Sequence, residues 1–594
     1  MTAPTTDDQE IDRAWWKESV IYQIYPRSFN DTDGDGVGDI PGIIEKLDYL
    51  DDLGVDIIWL NPVYESPNAD NGYDIADYQS IMDEFGTMDD WQRLLDGLHD
   101  RDIKLIMDLV VNHTSDEHEW FVNARDVDSE YHDYYIWRNG RTDVDGFTGH
   151  HGPADEAPPN EWESFFGGPA WAYDEDVGKW YLHLFDEKQP DLNWENPAVR
   201  EEVFEMMEWW LDKGIDGFRM DVINLLSKPP EVTDHDPPTN TSQMWDSIDG
   251  PRIHEFLDEM HEAVLDDKDV FALGEMIGQG MDMETARRYV GADGPLSTLF
   301  HFDHVLLDHG GEIWETNEWT LNDLRDVFNR WQYGLAEDGW NSIYLSNHDQ
   351  PRLVSRFGND GEYREESAKL LATLIFTLRG TPYIFQGAEI GMTNYPFDSL
   401  EEFRDVETIN PVRNALDSGR VDSFEEVKHG LRQNSRDNAR TPIQWDDSDN
   451  AGFTDGEPWI GVNPNHDEIN VDAARADEDS IWHYYRDLID LRGDSDVSDV
   501  LVYGRYDVLI NDHEEVWSYV RTLGDERLLV TLNFAEWEGH TWIPEEEVDF
   551  DPQEMEAELL LSNYGADERA TDVDAAAFDL RPWEARIYRL VEAE

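Results

Sequence analysis

The 594-residue sequence contains no cysteine, so disulfides, thiol nucleophiles and cysteine-ligated metals are excluded. Basic residues are scarce: there are 44 against 134 acidic ones, and only ten of the 44 are lysine. The formal net charge of -90 would repel phosphates, so nucleic acid is not an expected partner. No run reaches the roughly 18 apolar residues that a membrane-spanning helix needs. The amino-terminal stretch MTAPTTDDQEIDRAWW has neither the basic start nor the apolar core of an export signal. A cytoplasmic protein without membrane association is expected.

The acids are not gathered in a tail. They recur along the chain, in DDQEID, DMETARR and PEEEVDFDPQEMEAE, interleaved with 39% hydrophobic and 12% aromatic residues. Such a composition describes a folded core under a carboxylate-covered surface, not a disordered acidic arm. Self-repulsion at this charge destabilises a compact state in dilute salt, and molar salt shortens the screening length to about 3 Å. A salt-adapted, halophilic protein is the expectation.

Eight short apolar runs of strand character occur in the first two thirds: VIYQIYP, DIIWLNP, LIMDLVVNH, GFRMDVIN, VFALGEM, STLFHF, SIYLSNHD and PYIFQG. Most are separated by helical patterns such as PAVREEVFEMMEWWLDKG, with Val203, Met206, Met207, Trp210 and Leu211 on one face. Continuous apolar strands alternating with helices indicate a parallel sheet, and eight repeats predict an α/β fold of the (β/α)₈ TIM-barrel type. The rival, an open doubly wound sheet, lacks the glycine-rich phosphate loop after its first strand. The chain between the third and fourth runs is far longer than a crossover needs. It predicts an inserted domain over 114–194, between barrel parts 1–113 and 195–502. Alternating segments in EVWSYVRTL, RLLVTLNFA and EARIYRLV predict a C-terminal antiparallel β-domain over 503–594.

Three acids fall at strand ends: Asp221 closes the fourth strand, Glu275 closes the fifth and Asp349 follows the seventh. Barrel chemistry gathers at the carboxyl ends of strands, so these side chains converge. Two carboxylates about 5 Å apart suit a retaining glycosidase, one attacking the anomeric carbon and the other handling the proton. Arg219 and Asp221 lie on the same face of a strand. The cation would keep Asp221 ionised, whereas an acid without such a partner holds its proton longer. A structural ion pair inside the barrel is the plainer alternative for an isolated R-x-D.

DLVVNH (Asp108–His113), GFRMD (Gly217–Asp221), GE (Gly274, Glu275) and NHD (Asn347–Asp349) resemble the four segments of the α-amylase family, glycoside hydrolase family 13. QIYPRSFND, QPDLNWENP and GTPYIFQGAEIGMTNYPF resemble its oligo-1,6-glucosidase and α-glucosidase branch. The resemblance covers nearly the whole chain and implies an exo-acting α-glucosidase on short oligosaccharides such as isomalto-oligosaccharides, maltose or sucrose. It implies that Asp221 is the nucleophile, Glu275 the acid/base and Asp349 the third carboxylate. It places His113, Arg219 and His348 around the bound glucose, with Tyr73 stacking on that sugar and Asp74 gripping its terminal hydroxyl. Arg436 would pair with Asp74 to close the pocket, Arg440 being the alternative. Phe166 and Phe185 would flank the scissile bond, or else belong to the core of the inserted domain. Val222 leans toward α-1,6 linkages. A transglucosidase or sucrose isomerase would share these residues. A non-catalytic sugar-binding or transporter-associated relative would more typically lack some of the acids.

DTDGDGVGD places Asp31, Asp33, Asp35 and Asp39 around glycines, a spacing that turns carboxylates and a carbonyl, that of Val37, toward one hard cation. It is not an EF-hand, because Gly42 stands where a bidentate Glu is required. In the family branch this loop carries calcium or magnesium, so a structural metal is expected and no organic cofactor. A solvated Asp-rich turn is the alternative.

Overall fold

A computed structural model of the chain describes residues 11–142, 152–153, 156–236, 238 and 243–593. The eight apolar runs form eight parallel strands: β1 (Ile21–Ile24), β2 (Ile57–Leu60), β3 (Lys104–Leu109), β4 (Gly217–Met220), β5 (Phe271–Met276), β6 (Thr298–His301), β7 (Ser342–Ile343) and β8 (Thr381–Phe385). Their hydrogen-bonded order is β6-β5-β4-β3-β2-β1-β8-β7. A parallel bridge between Leu299 and Asn341 brings the two ends together and closes the barrel.

Alternation along the strands sorts the core into two layers. Ile21, Ile57, Trp59, Ile106, Leu273 and Phe300 meet in one buried cluster inside the barrel. Their neighbours Tyr22, Ile58, Leu60, Met107, Phe218 and Ile384 pack outward against the helices. The helix Pro197–Lys213 is of this outer kind. Asn196 caps its start by accepting from the Ala198 N–H, and Val203, Met206, Met207 and Trp210 are buried. Leu211, placed on the same face by periodicity, is only half-buried. One glycine is required for strand packing: a Cβ on Gly217 would lie 2.0 Å from the Phe271 carbonyl oxygen. Only glycine lets β4 approach β5 this closely.

Between β3 and β4 stands a small antiparallel sheet of Trp137–Arg138, Lys179–Leu182 and Trp171–Asp174. After the barrel, Arg505–Leu509, Val516–Leu523, Glu526–Asn533, Ala585–Glu592 and Met555–Ser562 form a five-stranded antiparallel sheet in that order. Its own core includes Leu509, Val520, Leu529 and Tyr588. Among the described residues no helix is long and apolar enough to cross a membrane.

Candidate active site

Strand register brings the charged residues together. Arg219 on β4 lies directly opposite Asp108 on β3 and Leu273 on β5. Two residues further along, Asp221 and Glu275 therefore stand on the same inward face, beyond the apolar layer of the barrel. Arg219 is fully buried. Its Nη1 donates to Asp108 Oδ1 at 2.7 Å and to Asp221 Oδ1 at 2.6 Å. Its Nη2 donates to Glu275 Oε1. One guanidinium thus holds three carboxyl groups from three strands. Glu275 is therefore not the acid without a cationic partner that strand periodicity predicts, but shares this guanidinium with Asp221. Glu275 shares the cation because β5 is in register with β4.

Burial pushes all three acids upward against the pull of Arg219: Asp108 to about 6, Asp221 to about 7 and Glu275 to about 8. Taking charge out of water favours the neutral form, and Asp221 and Glu275 repel one another as they ionise. The backbone reinforces Glu275. Val222 adopts φ +36°, a strained left-handed conformation for a β-branched residue, and its N–H donates to Glu275 Oε2 at 3.0 Å.

Asp349 follows β7 and behaves oppositely. Burial raises it, but His348 Nε2 at 2.9 Å, Arg440 Nη2 at 3.0 Å and Arg436 Nη1 at 3.3 Å hold it well below the ordinary carboxylate range. His348 stacks on Tyr73 with ring centroids 5.3 Å apart and receives Gln23 at its other nitrogen. His113 meets the Tyr73 carbonyl and Gln189, each at 3.1 Å. Burial pushes both histidines down to about 4, so they are neutral at pH 7.

These groups open into one pocket of about 1190 Å³, lined by Tyr73, His113, Asp221, Glu275, Asp349 and Arg436 among others. Phe166 and Phe185 both line it, packed edge to face at 5.5 Å. Val222 also faces it.

One expected pair is not formed. Arg436 does not meet Asp74. It contacts Asp70 at 3.4 Å, Asp349, Asp405 and Glu407. Asp74 is wholly buried, where it accepts from Ser66 Oγ and from the N–H groups of Ala69 and Asp70. The positive φ values of Asn71 and Gly72 turn the chain back between the two aspartates. Asp70 is thereby presented to the pocket, and Asp74 ties the loop from behind. Arg440, the alternative, reaches Asp349 and Asp405 and not Asp74. Asp70 and Asp108 are functional candidates that sequence reasoning missed. A signal for Asp108 was present, since it is the one acid in a strand buried along nearly its whole length.

In the aspartate-rich loop, carboxylate oxygens of Asp31, Asp33 and Asp39 lie within 4.8 Å of one another. Asp31 also accepts from the N–H groups of Asp33, Gly34 and Gly36, and Asp39 from Gly42 and Thr32. Asp35 is outside this cluster and accepts instead from the Val37 N–H. The all-oxygen donor set fits a hard cation, with three of the four expected carboxylates gathered.

A family model described as "Alpha amylase, catalytic domain" matches residues 23–504. The oligo-1,6-glucosidase of Parageobacillus thermoglucosidasius is 52% identical over 590 residues, which is 98% of this chain and 100% of the relative. That of Halalkalibacterium halodurans is 51% identical over 580 residues, covering 97% of this chain and 98% of its own. Among solved structures, an isomaltulose synthase from Erwinia rhapontici in complex with sucrose superposes with a TM-score of 0.89 at 41% identity, covering 98% of this chain and 100% of that one.

Proposed function

The chain belongs to the alpha-amylase family, and from that premise we propose a retaining, exo-acting α-glucosidase. It releases glucose from the non-reducing end of short α-glucosides, with isomalto-oligosaccharides preferred. The observation that carries this reading is the single guanidinium of Arg219 shared by Asp221 and Glu275. Two carboxyl groups on one guanidinium suit the separation of about 5 Å that retention of configuration uses.

In this reading ionised Asp221 attacks the anomeric carbon while protonated Glu275 gives its proton to the glycosidic oxygen. The aglycone leaves and a covalent glucosyl-Asp221 remains. Glu275, now a carboxylate, takes a proton from water, whose oxygen displaces Asp221 and returns glucose with its original configuration. Arg219 stabilises Asp221 as an anion and as a leaving group. Asp349, held ionised by two arginines, accepts from sugar hydroxyls and favours the cationic transition state. Tyr73, His113, His348, Phe166 and Phe185 form the walls around the glucose. Asp70 and Arg436 close the far end, so only a chain terminus enters. Val222 at the pocket wall and the named relatives support the α-1,6 preference.

The same proposal includes calcium or magnesium held by Asp31, Asp33 and Asp39, stabilising the loop, and cytoplasmic action in molar salt. The likeness to an isomaltulose synthase favours a second reading, transfer of glucose to a sugar in place of water. Chromatographic product analysis in multimolar KCl with isomaltose, maltose and sucrose separates them. Glucose from isomaltose is expected. Isomaltulose or longer oligosaccharides would move the enzyme to the transferases, and no product from any of the three would overturn the reading.

A further inference from the structure

Trp245 is a large aromatic left in water, with 57% of its surface exposed, yet it is firmly held. It sits on the short turn Met244–Ser247 between β4 and β5. The Gln243 N–H donates to Asp246 across that turn. Its neighbour Met244 points inward and packs in the same buried cluster as Val222. The turn is therefore fixed to the pocket wall while its indole faces out.

A line of rings connects Trp245 to the catalytic floor. His113 packs on Phe185 at 5.2 Å, Phe185 stacks on Phe165 at 5.3 Å, and Phe165 meets Trp245 edge to face at 5.3 Å. Exposure rises along the line: His113 is buried, the two phenylalanines are half-buried and Trp245 is open. All four line the one pocket. In the α-glucosidase reading the paired Asp70 and Arg436 end the pocket on the other side, so a chain longer than two sugars extends toward the mouth. A pyranose presents a face of C–H groups rimmed by hydroxyls, which matches an exposed indole with polar neighbours. Here Gln243 and Glu163 also line the mouth. An ordered, solvent-facing aromatic at the rim of a concave site is the kind of surface a ligand covers.

We propose that Trp245, backed by Phe165, is a stacking platform for a sugar ring on the leaving-group side, beyond the one released directly by cleavage. This rests on the α-glucosidase reading and assigns that enzyme a preference for three or more sugars. The test compares wild type, Trp245→Ala and Trp245→Phe on isomaltose and isomaltotriose, and on maltose and maltotriose. The ratio of kcat/KM for trisaccharide over disaccharide should fall about tenfold in Trp245→Ala and recover most of the way in Trp245→Phe, with the melting temperature unchanged. Calorimetric binding of the same sugars to Asp221→Asn, with and without Trp245→Ala, reads the platform without turnover. If the wild type hydrolyses none of these sugars, the α-glucosidase reading falls and the affinity ratio alone decides the platform. A trisaccharide-to-disaccharide ratio that Trp245→Ala leaves unmoved, in turnover or in affinity, overturns the proposal.

Discussion

Glu275→Gln separates the burial of a charge from its chemistry. In the folded protein, burial pushes this carboxyl from 4.5 to about 8. Below pH 4.5 it is protonated whether folded or unfolded and costs nothing. As pH rises the unfolded chain ionises freely while the folded protein keeps its proton, so stability is lost with pH until about 8. At 1.36 kcal/mol per pH unit the loss is on the order of 5 kcal/mol, part of which reflects repulsion from Asp221. Glutamine does not titrate and escapes that loss. Its amide nitrogen cannot accept the Val222 N–H, which costs about 1 kcal/mol at every pH. The variant should therefore be slightly less stable than wild type at pH 5 and about 4 kcal/mol more stable at pH 9. For a chain of this length 1 kcal/mol moves the melting temperature by about 1 °C, so scanning calorimetry in constant KCl should show the difference change sign. A variant that melts below wild type at both pH values would refute the reasoning.

The pH profile of kcat/KM should peak between about pH 7 and pH 8, falling below as Asp221 gains a proton and above as Glu275 loses one. Initial rates on isomaltose check it, and an acid limb near pH 4 would contradict it. Asp70→Ala should raise KM about tenfold or more with little loss of stability. Asp74→Ala should destabilise by about 2 to 3 kcal/mol, because three donors, two of them buried, lose their acceptor. Kinetics and denaturant unfolding of the two variants side by side would expose a reversed assignment. Chelator should lower the melting temperature by several degrees, and Asp31→Asn should make the protein insensitive to chelator; an unchanged wild-type melt would count against a bound ion.

The eight strands were legible because each is a continuous apolar run ending in polar residues, which only a sheet covered on both faces allows. Even β7, two residues long as a ladder, stood out through Ile343, Tyr344 and Leu345. The pairing of Arg219 with Asp221 followed from the two-residue period of a strand. The sharing of Arg219 with Asp108 and Glu275 did not, because it depends on the register between strands. Composition says nothing of register. The exchange of Asp74 for Asp70 has a similar cause: both flank Tyr73, and only the backbone turn at Asn71 and Gly72 decides which enters the pocket. Asp35 is grouped with Asp31, Asp33 and Asp39 by spacing alone, yet its carboxylate lies outside their cluster and accepts from the Val37 N–H.

The shared guanidinium also has a meaning for how the chain acquires activity. Arg219, Asp108 and Glu275 come from three strands spread over more than 160 residues of sequence, and each depends on the others to be tolerated inside the barrel. A partly assembled barrel lacking β5 would bury Arg219 without one of its three carboxyl acceptors, and one lacking β4 would leave Asp108 and Glu275 without the cation they share. Such intermediates are penalised by the same charges that later do the chemistry, so β3, β4 and β5 should lock in register together. Recovery of activity during refolding would then trail recovery of helix and strand content. It would mark the moment when a third of the barrel finds its alignment.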